Sequence, residues 1–434
     1  MLLCFLNTSF EFMFCTRACS VVKYKNIADE NRQIGKFAGL PIIFESWGIY
    51  MNKKEVLEIR KQFKPDSSTI SRICGCYVDG EKNVVLKFKE AFGSLSEEEC
   101  FKYFDIFKKT LSGTVGKNLL SMEFPLAQEA EGGTQEFLLK LRNSGLQDEG
   151  LLEEFYQKVI DHYVYGENYY IVLIHAVYDI PGKASDGMEM FDASDNVYEY
   201  ILCCICPVNL TKAGLCYNVE KNSIEDRIRD WVVEMPAKGF LFPAFNDRNT
   251  DIHGVLYYSK NPEELQQDFV DQILGCAAPL TAAGQKDTFN ILLEESLGED
   301  CDYEMVKSIH ESLNELIETN RENPDPVVIG KHDVRYILEE SGVEEEKIAD
   351  FEEAYDRVVE PGSPMLASNI ADTRKFSIQT PDIVIKVNPD RTDLIETRII
   401  DGKQCLVITV DDHIEVNGMN VRTIRREQNN EQNI

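Results

Sequence analysis

The chain has 434 residues, 43% hydrophobic and 10% aromatic, which excludes wholesale disorder and is too long for one compact core. Its formal net charge of −30 sets it against phosphate backbones unless a local basic patch overrides the global field. Thirteen scattered cysteines, an odd count, read as reduced thiols in a cytosol, not as a disulfide framework, and no apolar run is long enough for a membrane span.

The first fifty residues differ from the rest. Met1–Tyr50 opens on MLLCFLNTSFEFMFC, without a basic region before the apolar part and without a clear cleavage site, so it makes a poor signal peptide. Met51 then begins MNKKEVLEIRKQF, a natural protein start. The codons for Trp47-Gly48 place a run of guanines just upstream, where a bacterial ribosome-binding site would lie. Residues 1–50 are therefore expected to be a non-native leader or a mis-called start.

From Met51 the spacing predicts a helix over Lys53–Phe63, ending before Pro65. Thr69–Val78 and Asn83–Phe88 form a hairpin around Asp79-Gly80-Glu81. Ser96 should cap a helix reaching Leu111, with Glu97, Glu98 and Glu99 near the positive end of its dipole. Helices follow over Thr134–Arg142 and Asp148–Val164. The character then changes to strands: Asn168–Ile180, Val197–Pro207, Leu215–Val219, Asp230–Glu234, Gly239–Phe245 and Asp251–Ser259. Strands in succession without intervening helices argue an antiparallel sheet, hence α+β. Pro181–Asn196 reads as a long acidic loop.

Helices return over Pro262–Leu274, Thr281–Ser296 and Tyr303–Thr319, and a boundary is expected at Glu322–Pro326. Two more helices, Lys331–Ser341 and Glu344–Val359, precede short strands at Phe376–Val387, Leu394–Ile400, Gln404–Val410 and His413–Val416. Tight turns are expected at Asp401-Gly402 and Asn417-Gly418. The expected organisation is a sheet domain over 51–260, a helical connector over 261–326, a small C-terminal α+β domain over 327–424 and a polar tail over 425–434.

Chemically capable side chains concentrate in Gly239–Tyr258, GFLFPAFNDRNTDIHGVLYY, read as a β-hairpin. Phe240, Phe242 and Ala244 share one face of its first strand, and Ile252, Leu256 and Tyr258 one face of its second. Asp247, Arg248, Asp251 and His253 sit at its tip and shoulder. Asp251 and His253, two apart on a strand, share a face and could share a divalent metal. His175 and Asp179 are four apart, roughly 13 Å on a flat strand, so at most one of them could join; His175 is the choice. The competing reading is architectural. Asp247 and Asp251 shape the turn through side-chain-to-backbone bonds, Arg248 pairs with one of them, and His253 is a satisfied sheet histidine.

Other constellations carry less. Cys74 with Cys76 and Cys204 with Cys206 could hold zinc on two adjacent strands, but apolar strands favour buried free thiols over zinc knuckles. Cys203-Cys204-Ile205-Cys206 contains Cys-x-x-Cys without the helix N-terminus a redox pair wants. Gly113–Asn118 imitates a phosphate loop, yet lacks a glycine at Leu111 and has Asn118 where Ser or Thr belongs. No Gly-x-Ser-x-Gly or His-Glu-x-x-His occurs, so no serine triad or zincin is suggested by motif. The acidic loop Asp186–Asp195 lacks the ligand order of a calcium loop. Arg422, Arg425 and Arg426 are the one basic cluster after the leader.

Several stretches resemble a bacterial family known only as a domain of unknown function. They are MNKKEVLEIRKQF, ICGCYVDG, LSGTVGKNLL, CCICPVNLTKAGL, DWVVEMPAKGFLFPAFNDRNTDIHGVLYYSKNPEEL and GKHDVRYILEESG. The resemblance runs from Met51 to about Val421. It implies a cytosolic bacterial protein and carries no activity, cofactor or catalytic residue. By layout alone, the C-terminal third is similar to the C-terminal region of bacterial nucleoid-associated proteins.

The leading functional expectation is a non-catalytic binding or assembly protein with a protein partner, no cofactor and no membrane. The alternatives are a metal-dependent hydrolase using Asp251, His253 and His175, with Asp247 as base and Arg248 steadying an anionic substrate, and a nucleoid-associated protein touching DNA through its C-terminal domain.

Overall fold

A computed structural model of the chain describes residues 51–65, 69–183, 189–190, 196–359, 365–410 and 414–421. In chain order it contains α1 (Lys53–Arg60), β1 (Ile70–Val78), β2 (Val84–Ala91), α2 (Glu97–Thr110), β3 (Leu119–Glu123), α3 (Thr134–Asn143), α4 (Glu149–His162), β4 (Tyr169–Ile180) and β5 (Asn196–Leu210). Seven shorter strands follow: β6 (Leu215–Asn218), β7 (Ser223–Asp226), β8 (Trp231–Val233), β9 (Lys238–Phe242), β10 (Ala244–Asn246), β11 (Asn249–Asp251) and β12 (Gly254–Ser259).

The fold is α+β, as the succession of strands implies. One eight-stranded sheet runs β2-β1-β4-β5-β9-β12-β3, with β8 added along the far end of β5, and every pairing in it is antiparallel. Helices cover both faces. Phe155, Tyr156 and Val159 of α4, Leu138 and Leu141 of α3, and Phe269–Leu274 pack on the face carrying Cys74, Leu173, Cys203, Phe240 and Tyr257. Val56 and Ile59 of α1 and Phe104 and Phe107 of α2 pack on the face carrying Ile73, Val172, Cys204, Leu241 and Leu256. Burial on both faces explains why β4 and β5 read as unbroken apolar runs, not as alternating ones. Gly239 marks where α2 presses closest: a Cβ there would collide with the Cys203 carbonyl and the Thr110 methyl.

The first helices follow local rules. Asn52 caps α1, accepting from the amides of Lys54 and Glu55 while Glu55 reaches back to the Asn52 amide. Ser96 and Glu99 form the same reciprocal pair at the start of α2.

The region after β12 departs from expectation. No single helix spans Pro262–Leu274; Gln266 adopts a left-handed φ of 53°, and only Gln267–Phe269 and a wider turn over Val270–Leu274 are helical. Burial of Phe269, Val270, Ile273 and Leu274 decides this segment over its helical spacing. Beyond it lie α5 (Ala282–Leu297), α6 (Tyr303–Thr319), α7 (Lys331–Glu340) and α8 (Glu345–Val358). Phe289, Leu293, Ile309 and Leu313 share one cluster with Val334, Leu338, Ile348 and Phe351. The break at Glu322–Pro326 therefore runs through the middle of a core, because the apolar face of α6 is buried by helices on the other side of it.

Three two-stranded ribbons end the described chain: β13 (Phe376–Gln379) with β14 (Val384–Val387), β15 (Ile395–Ile400) with β16 (Lys403–Ile408), and β17 (Ile414–Val416) with β18 (Met419–Val421). The turns Asp401-Gly402 and Asn417-Gly418 have positive φ at both residues, as Asp-Gly and Asn-Gly predict. The run Phe376–Val387 is itself a hairpin, turned at Pro381-Asp382. Residues 1–50, most of the acidic loop, His413, Arg422, Arg425, Arg426 and the tail lie outside the described residues.

Candidate functional site

The aromatic hairpin divides in two. Its long arms β9 and β12 belong to the large sheet, Phe240 pairing with Tyr257 and Leu241 with Leu256. Phe240 and Phe242 face one core, whereas Leu256 and Tyr258 face the other. The tip β10–β11 is a separate ribbon closed by the two-residue turn Asp247-Arg248. Both turn residues are left-handed, at φ 50° and 56°, without the glycine that such turns favour. Each non-glycine residue held there costs about 1–2 kcal/mol, so the turn requires outside support.

That support comes from α1, 190 residues away in sequence. Glu58 receives the Arg248 guanidinium in a fork, Nε at 3.1 Å and Nη2 at 2.9 Å, and the Tyr178 hydroxyl at 2.9 Å. Arg248 Nη2 also donates to the Pro181 carbonyl at 3.2 Å. The neighbouring Glu55 carboxylate accepts from the backbone amides of Asp247 and Arg248 as well as from Asn52. Burial raises the Glu55 pKa, and the backbone donors pull it back down. The expectation that Arg248 pairs with a hairpin aspartate is corrected: Glu58 holds it. The geometry is a clasp between the first helix and the far end of the sheet.

Asp251 is spent locally. Its Oδ2 accepts from Asn246 Nδ2 at 2.6 Å and its Oδ1 from the His253 amide at 3.0 Å. Ile252 and His253 form a turn between β11 and β12, so Asp251 and His253 do not lie two apart on one strand. The His253 ring turns instead to Glu129, Nδ1 standing 2.6 Å from Oε1. That hydrogen bond raises the His253 pKa above 6.5, against a smaller opposing effect of burial. A raised pKa means the pair stabilises the fold below about pH 6.5 and ceases to as pH rises through the folded value. Proton NMR should place the His253 midpoint above that of a free histidine, and Glu129→Gln should return it; an unchanged midpoint contradicts the pairing.

His175 is elsewhere. It sits buried in β4, with Nδ1 2.5 Å from Ser71 Oγ and Nε2 2.8 Å from Glu199 Oε1. Three strand spacings, roughly 14 Å, separate β4 from β12, so His175 cannot share an ion with Asp251 and His253. Asp247 is exposed at the tip, its carbonyl accepting from Asn249. Among the described residues no three His, Cys, Asp or Glu side chains are placed to hold one metal ion.

The cysteine pairs do not meet either. Strand β4 separates β1 from β5, and Cys74 and Cys76 face the opposite core from Cys204 and Cys206. Burial pushes the Cys74 and Cys76 thiols up to about 11 and Cys204 up to about 12, so they stay protonated. In the loop Gly113–Asn118, the Thr114 carbonyl collects the amides of Lys117, Asn118 and Leu119, and Asn118 Nδ2 donates to Ser259. That loop ties α2 to β12. No helix among the described residues is long and apolar enough to cross a membrane.

Glu55, Glu58, Ser71 and Glu199 went unnoticed in the sequence. An Asn-x-x-Glu cap flags Glu55, but no local signal ties it or Glu58 to Arg248. No curated protein matches the chain. The family model described as "Domain of unknown function (DUF4317)" matches residues 51–419, and the chain belongs to that family.

Proposed function

We propose that this chain is a binding or assembly protein whose contacts are made by its two-stranded ribbons. The supporting observation is where the exposed large apolar side chains lie. Leu215, Tyr217 and Ile224 stand on one face of the β6–β7 ribbon, and Ile228, 83% exposed, and Trp231 continue it towards β8. At the C-terminal end Ile383, Val384, Ile399, Ile408 and Met419 are exposed on the ribbons there. An isolated two-stranded ribbon is marginal in water, and large exposed apolar side chains grouped on one ribbon face are what an interaction site would use. Arg248, Asp251 and His253 of the hairpin, by contrast, are engaged with Glu58, Asn246 and Glu129.

The test is Ile224→Asp combined with Ile228→Asp in the full chain. Both positions lie outside the three cores, so circular dichroism and melting should be unchanged. Light scattering on protein isolated gently from its native source should give a complex for the parent and the free-chain mass for the variant. A parent that runs at its own mass alone, whatever the concentration, contradicts the proposal.

A further inference from the structure

We propose that Ser71, His175 and Glu199 form an acyl-transfer site for small activated acyl esters, with Ser71 as nucleophile. The three residues come from three neighbouring strands, β1, β4 and β5, and no sequence motif announces them. The pairing of β1 with β4 skips a residue between Ile70 and Arg72: Ile70 faces Ala176 and Arg72 faces His175. Ser71 is the extra residue of this bulge, and bulges re-aim side chains. The result is an exposed hydroxyl against a buried imidazole.

The protonation pattern follows from the partners. Glu199, 40% exposed, can only accept, so the proton of neutral His175 sits on Nε2, at 2.8 Å from Oε1. Nδ1 then presents a lone pair to Ser71 Oγ at 2.5 Å, the relation of a general base to its nucleophile. The hydroxyl also lies within 3.1 Å of the His175 carbonyl, a second acceptor for the same proton. Arg142, half-buried on α3, is close enough to Glu199 to feel its charge. Nucleophile, base and orienting carboxylate are in the order that defines such a triad on any fold.

The chemistry balances without a further reagent. Ser71 Oγ bonds to the acyl carbon as its proton passes to Nδ1, and Glu199 steadies the imidazolium through Nε2–H. The bond to the leaving group breaks, and the leaving group takes the proton from Nδ1. Water then repeats the sequence against the acyl-serine, releasing the carboxylic acid and restoring the hydroxyl. The site lies on open surface, which selects small esters whose leaving groups depart readily, such as aryl esters.

The full chain should be treated with a fluorophosphonate probe and, separately, with p-nitrophenyl acetate. Mass spectrometry should find the phosphonyl group on Ser71, and Ser71→Ala, a change at an exposed position, should abolish both labelling and ester turnover while melting is unchanged. Glu199→Gln should slow labelling by about tenfold or more. Ser71 left unlabelled in folded protein, or equal turnover by the parent and Ser71→Ala, overturns the proposal. The ribbon surface plays no part in this test, so either reading can fail alone.

Discussion

Arg248→Met is expected to destabilise the sheet domain by about 2–3 kcal/mol. The guanidinium and the Glu58 carboxylate are only 19% and 21% exposed, and the substitution leaves Glu58 part-buried with the Tyr178 hydroxyl still donating to it. The Pro181 carbonyl loses a donor in the same step. Partial exposure keeps the loss below that of a fully buried pair. The turn itself adds to the cost, because the left-handed pair Asp247-Arg248 then loses its side-chain anchor to α1 and keeps the weaker hold of the amides that Glu55 accepts. Urea denaturation followed by circular dichroism checks this; a midpoint unchanged from the parent would mean the clasp contributes nothing.

Phe245→Ala should cost more, about 3–5 kcal/mol. Phe245 is fully buried on β10, with its ring 4.6 Å from Tyr198 and 6.3 Å from Tyr178. Tyr198 in turn stacks on Tyr200 at 4.8 Å and donates to the Pro243 carbonyl at 2.6 Å. Removing the ring opens a cavity under the tip ribbon, at the place where the clasp begins. The same denaturation measurement reads it, and a loss below about 1 kcal/mol, well under the usual range, would show that the aromatic cluster closes over the gap.

The two substitutions explain why the sequence was readable in some places and not in others. Local rules carried several elements well. The Ser96 and Glu99 pair, the Asp-Gly and Asn-Gly turns and the run of strands after Asn168 are decided within a few residues, and the structure has them where the residues imply. The antiparallel sheet followed for the same reason. Sheet order did not, since nothing in Leu119–Glu123 says that it pairs with Gly254–Tyr258. Pro262–Leu274 has helical spacing but is shaped by packing against the sheet.

The side chains around the hairpin are arranged by the same long-range packing. Asp247, Arg248, Asp251 and His253 are dense in sequence, and proximity along the chain suggested a shared task. In space they part: Arg248 reaches Glu58, Asp251 accepts from Asn246 and the His253 amide, the His253 ring turns to Glu129, and Asp247 stays exposed at the tip. His175, chosen as an outlying ligand, stands between Ser71 and Glu199, two residues with no motif around them. A one-residue bulge in β1 creates that contact, and a bulge has no signature of its own in this stretch.

The polar tip of the hairpin fastens the first helix to the sheet. A double-mutant cycle on Glu58→Gln and Arg248→Met, read by urea denaturation, tests it most directly. The clasp predicts a coupling of about 1.5–2 kcal/mol between the two positions. Losses that simply add, with coupling near zero, would contradict it.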